Sequence, residues 1–76
     1  PNMTHYQANH SYILELKYIS KADYTEEKAA KQWAEAVEQI YGYAVAPRVE
    51  ALRQGTQMHK IIIQFCGWEL VRMEEV

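Results

Sequence analysis

Apolar and polar residues alternate along Tyr12 to Ile19, YILELKYI. Successive side chains of a strand leave opposite faces. Tyr12, Leu14, Leu16 and Tyr18 therefore share one face, and Ile13, Glu15, Lys17 and Ile19 share the other. The first face is wholly apolar or aromatic and is expected to pack on a helix. The second is apolar at its ends and carries opposite charges in its middle. Tyrosine, isoleucine and leucine favour extended backbone, so the pattern predicts a central strand with a polar pair planted in it.

Pro1 to His10 have no such period and read as a polar connection leading into the strand. Beyond a break at Ser20 to Tyr24, apolar or small residues recur at Ala29, Ala30, Trp33, Ala36, Val37, Ile40 and Ala44, the spacing of one helical face. Thr25 suits the N-cap, and Glu26 and Glu27 suit the positive end of the helix dipole. Pro47 disfavours a helical Ala46. The helix is thus about 20 residues, or ~30 Å, long, and Trp33 is expected to pack against Leu14 or Leu16. A short second helix over Val49 to Gln54 is predicted, stopped by Gly55.

Lys60 to Cys66, KIIIQFC, contains three successive isoleucines. They predict a strand buried on both faces, as in a parallel sheet. His59 falls in the loop before it. Gly67 gives a turn, flanked by Trp68 as a packing residue. WELVRM then reads as a last strand at an edge, with Glu74 and Glu75 as a solvated tail. A strand, a helix and a returning buried strand make a right-handed crossover with parallel strands.

These elements leave the first strand with neighbours on one side only. The expected fold class is α/β, an incomplete core of strand-helix-strand crossover plus C-terminal strand, with residues 1–76 forming a single partial domain. The 76-residue length agrees: a domain of this size buries only ~60% of the surface of its unfolded chain, and the single Cys66 permits no internal disulfide. Support from an upstream part of the same chain, or from a second copy, is expected. The composition is that of a globular protein, 49% apolar and 24% charged. No stretch reaches the ~20 apolar residues of a membrane helix; with a lone cysteine, this suggests a cytoplasmic protein without membrane contact. A net charge of −2 argues against a stand-alone electrostatic nucleic-acid binder.

Glu15 and Lys17 leave one face of the strand with their roots about 6.5–7 Å apart. A charged pair among apolar neighbours costs free energy to desolvate unless it is paired or metal-bound. The Glu15 carboxylate can hold a hard cation such as Mg²⁺, and the backbone carbonyl of Leu14 or Leu16 can add an oxygen. Lys17 can orient or deprotonate water, or stabilise charge on a phosphate. A solvated ion pair is the bland alternative. On the helix, Gln39 and Tyr43 stand at i, i+4 and share a side. Gln39 can bond a carboxylate, water or phosphate, and Tyr43 can stack on or bond nucleic acid. His5 and His10 are minor phosphate-contact candidates, and Lys21, Lys28 and Lys31 form a solvated basic face.

The ordered series of ILELKYI, the Gln39–Tyr43 helix and IIIQFCGWEL resembles the C-terminal nuclease-type domain of a bacterial AAA-ATPase-like family, within the PD-(D/E)xK superfamily. The resemblance spans Tyr12 to Val71. It implies a restriction-endonuclease-like core of a helix, three strands, a helix and a fourth strand. It also implies that Glu15 is a metal ligand, that Lys17 is the catalytic lysine, and that Gln39 and Tyr43 are accessory. The family's second carboxylate is an aspartate on an earlier strand, and no aspartate precedes Asp23 here. The expected parent is a Mg²⁺- or Mn²⁺-dependent nuclease acting on nucleic acid, with this polypeptide alone inactive and metal-free. The rival readings are a non-catalytic nucleic-acid-binding or regulatory module, and a self-associating domain joined through the strand edge or the Trp68 face.

Overall fold

The computed structural model describes residues 9–53 and 55–76; Pro1, His5 and Gln54, which entered the expectations above, lie outside them. The order is β1 (His10–Ile19), α1 (Glu26–Ala44), α2 (Pro47–Arg53), β2 (Gln57–Cys66) and β3 (Glu69–Glu75). The sheet runs β1-β2-β3. β1 pairs with β2 in parallel, and β2 with β3 antiparallel. The fold is therefore α/β: a helix connects two parallel strands, and an antiparallel strand follows.

Local chemistry accounts for the boundaries. The Thr25 hydroxyl accepts a hydrogen bond from the Lys28 amide at 3.0 Å, satisfying one of the free donors of the first helical turn. At the far end, the Ala46 amide donates to the Tyr43 carbonyl at 3.1 Å. Pro47 opens α2, where a missing amide hydrogen is harmless. Gly67 turns the chain between β2 and β3 with φ 61°, a left-handed backbone that suits glycine. β1 and β2 both start earlier than the apolar runs suggest, because the parallel ladder continues to the pair His10–Gln57. His59 is accordingly a strand residue and not a loop residue. Glu74 and Glu75 likewise belong to β3, opposite Ile62 and Ile61, rather than to a solvated tail.

The core lies between α1 and one sheet face. Trp33, Ala36, Ile40 and Ile62 are buried together, with Ile13, Val37 and Val76 packed around them. This reverses the expected face of β1. Ile13, Glu15, Lys17 and Ile19 are the partly covered side, while Tyr12, Leu14, Leu16 and Tyr18 remain exposed, Tyr18 by 62%. The reason is topological. A right-handed crossover from β1 to a parallel β2 leaves α1 one face on which to lie. On that face the register sets Ile62 beside Glu15 and Gln64 beside Lys17. Trp33 follows the same logic. Instead of meeting Leu14 or Leu16, it packs with Ile62 and lies under the Arg72 guanidinium, 4.0 Å from its ring centroid. The expectation that β2 is buried on both faces holds for its helix side only: Ile62 is fully buried, whereas Ile61 and Ile63 are partly open. Trp68 is 88% exposed at the hairpin turn, with the Lys21 ammonium 5.8 Å from its ring, so it is not the packing residue the pattern suggested.

Candidate active site

Glu15 and Lys17 project from the helix-covered face of β1 and meet there. Lys17 Nζ lies 3.2 Å from Glu15 Oε2, and the two side chains retain 24% and 15% of their exposure. The spacing of two places them on one face, and Ile13 on that face packs against the core that the helix covers. The pair is thus partly desolvated yet open enough to be reached. Separating the pair is favourable only if each charge gains a new partner, a cation at Glu15 and an anion at Lys17.

Around it lies a polar frame that the sequence pattern did not single out. Gln64, across the ladder from Lys17, is 2% exposed. Its Nε2 donates to the Ala29 carbonyl at 3.0 Å and to Gln32 Oε1 at 2.8 Å. Gln32 Nε2 donates in turn to the Tyr18 carbonyl at 3.1 Å. This chain of amides joins β2, α1 and β1 beside Lys17. Further across the sheet, Arg72 pairs with Gln64 in register, and its Nε donates to Glu74 Oε2 at 2.7 Å. The signal was a lone glutamine inside KIIIQFC, on the side that the ladder later turned toward the helix.

Gln39 and Tyr43 are exposed, and no hydrogen bond joins either to Glu15 or Lys17. Their place on α1 is nonetheless informative. Gln32, Gln39 and Tyr43 occupy one flank of the helix, and Gln32 is bonded to β1. Gln39 lies two turns beyond Gln32, about 10 Å along the axis. Gln39 and Tyr43 thus share the helix flank of Gln32, the residue that bonds to the Tyr18 carbonyl of β1.

A hard cation takes six or more oxygen ligands, usually with several carboxylates, waters or substrate oxygens among them. Glu15 supplies one carboxylate. Glu74, on the same face, is two strands away and bonded to Arg72. Among the described residues no group of three or more His, Cys, Asp or Glu side chains is placed to hold a metal ion. The described residues therefore do not make a complete Mg²⁺ site by themselves, and the expected metal role of Glu15 with the Leu16 backbone would need oxygens from elsewhere. No helix among the described residues is long and apolar enough to cross a membrane.

Comparison with known proteins gives the family. A family model of the PD-(D/E)XK nuclease superfamily matches residues 2–75. No curated protein and no solved structure matches the chain. Nucleases of that superfamily are generally metal-dependent. With a charged pair two residues apart on a strand, a crossover helix over it, and the match running nearly end to end, the chain belongs to the PD-(D/E)XK nuclease superfamily.

Proposed function

We propose that this chain carries the Glu-x-Lys half of a phosphodiester-cleaving centre, within the C-terminal nuclease-type domain of a bacterial AAA-ATPase-like protein. The supporting observation is the Glu15–Lys17 pair at 3.2 Å, partly buried under the crossover helix. In this reading Lys17 holds or deprotonates the attacking water and offsets charge on the phosphate. Glu15 accepts the ammonium in the resting state and contributes one oxygen to a Mg²⁺ or Mn²⁺ site. The other oxygens come from further structure or from the substrate phosphate. The uncovered face of β1 and its outer edge, which no other described strand pairs, support the companion proposal that further structure of the parent packs there. Gln39 and Tyr43, on the flank of α1 that Gln32 ties to β1, are accessory contacts to substrate.

The test is Mn²⁺-dependent cleavage of single- and double-stranded DNA and of RNA by the parent protein. Glu15→Gln is expected to weaken Mn²⁺ binding in calorimetry and to lower cleavage at least 100-fold. Lys17→Met is expected to keep metal binding and lose cleavage to a similar degree. Unchanged cleavage in both variants overturns the reading. Nucleic-acid binding without cleavage by the wild type, with any divalent cation, would favour the non-catalytic module instead.

A further inference from the structure

On the opposite face of the sheet, at the starting ends of β1 and β2, two imidazoles meet. His10 Nδ1 lies 2.8 Å from His59 Nε2, and His59 Nδ1 lies 2.7 Å from Glu75 Oε2. The three residues come from three adjacent strands. Tyr12 stacks on His59 with ring centroids 4.8 Å apart and planes 19° from parallel, so the His59 ring is held from above as well as from its edge. The His59 side chain is 15% exposed, whereas His10 lies open at the strand end.

The arrangement has a definite chemical sense. The Glu75 carboxylate can only accept, so His59 carries a proton on Nδ1 in that bond. In the neutral ring the Nε2 lone pair then points at His10 Nδ1. Two imidazole nitrogens from neighbouring strands thus face one another across a hydrogen bond that His10 donates, and the inner ring is oriented by a carboxylate through its other nitrogen. Metal-ligating histidines are commonly backed in this way, since the carboxylate fixes the tautomer and raises the ring's basicity. Imidazole suits zinc, nickel and copper, whereas magnesium prefers oxygen.

We propose that His10 and His59, backed by Glu75, bind a transition-metal dication of the Zn²⁺ class as a clip between β1 and β2. Zn–N bonds of ~2.0–2.1 Å in tetrahedral geometry put the two nitrogens about 3.3 Å apart. The present gap must therefore open by about half an ångström, which rotation of the exposed His10 ring supplies. The proton between the rings moves to His10 Nε2 on the solvent side, so the neutral pair binds without net proton release. No third metal-ligating side chain joins the pair among the described residues, so water completes the coordination. The site is independent of the Glu15 centre: it lies on the other sheet face and differs in ligand chemistry.

Calorimetric titration of the chain with ZnCl₂ at neutral pH, in a buffer that does not bind zinc, tests the site. One equivalent is expected to bind. His10→Ala, at an open position, is expected to weaken binding at least tenfold with the far-ultraviolet circular dichroism unchanged. His59→Phe, which keeps a ring under Tyr12, should do the same, and Glu75→Gln should also weaken binding about tenfold. Glu15→Gln and millimolar Mg²⁺ should leave it unchanged. Absence of zinc binding, or wild-type affinity in both histidine variants, overturns the proposal and leaves the reading of Glu15 untouched.

Discussion

Gln64 shows how one side chain can hold together a small fold. It is buried, and its amide nitrogen serves a helix carbonyl and the Gln32 side chain at once. Replacing it with leucine keeps the volume but removes the donor that joins β2 to α1. Gln64→Leu is expected to destabilise the chain by about 1–2 kcal/mol, read as a lower urea midpoint with the slope unchanged. At the surface, Lys21 and Glu69 form an ion pair at 2.9 Å. The bond from Lys21, and its charge, hold the Glu69 carboxyl below its ordinary value of 4.5, and the same bond raises the Lys21 ammonium above 10.5. The signs are opposite. Glu69's contribution is present above pH 4.5 and is lost as pH falls through its lowered value. Lys21's is present below pH 10.5 and is lost as pH rises through its raised value. Both groups are solvent-exposed, so the effect on stability is small, and NMR titration is the suitable readout. Glu69→Gln is expected to bring the Lys21 midpoint back toward 10.5.

At the scale of elements, the ends of α1 and the β2–β3 turn are set by single residues. Thr25→Ala removes the side-chain acceptor for the Lys28 amide and is expected to cost about 1 kcal/mol, measured by thermal melting with circular dichroism at 222 nm. Gly67 has two reasons to be glycine. Its φ is 61°, and an added Cβ would sit 3.3 Å from Lys21 Cε. Gly67→Ala is expected to destabilise by about 1 kcal/mol or more. It should also disturb the Lys21–Glu69 pair, visible as a shift in the same NMR titration. The start of α1 and the turn at Gly67 were legible in advance, whereas α2 begins at Pro47, two residues before the expected Val49. Thr25, Pro47, Gly55 and Gly67 act through local backbone chemistry, which needs no knowledge of distant neighbours. The strand ends were less legible, because His10, Gln57 and His59 are extended by pairing with one another rather than by apolar character.

For the molecule as a whole, the apolar surface is divided unequally. One sheet face is covered by α1, while Tyr12, Leu14, Leu16, Tyr18, Leu70 and Met73 stand open. A contiguous patch of this kind exceeds what single scattered surface residues would give. The chain alone is therefore expected to bind the dye anilinonaphthalene sulfonate strongly. The pair of substitutions Leu14→Lys and Leu16→Glu should reduce dye fluorescence severalfold while leaving helical circular dichroism intact, since both side chains point away from the core. Loss of the helical signal in that variant would show that the face is structural within the chain itself.

The amino-acid order by itself determined the elements, their sequence in the chain and the co-facial placement of Glu15 and Lys17, because helical and strand periods and capping chemistry are local. Tertiary structure alone decided which face of β1 meets the helix, and with it that Trp33 lies under Arg72 and that Gln64 stands beside Lys17. Alternation favoured the wholly apolar Tyr12 face, because it weighs only the polarity of each side chain and not which face the helix can reach. The handedness of the crossover and the register with β2 make that choice, and both arise only when the strands pair.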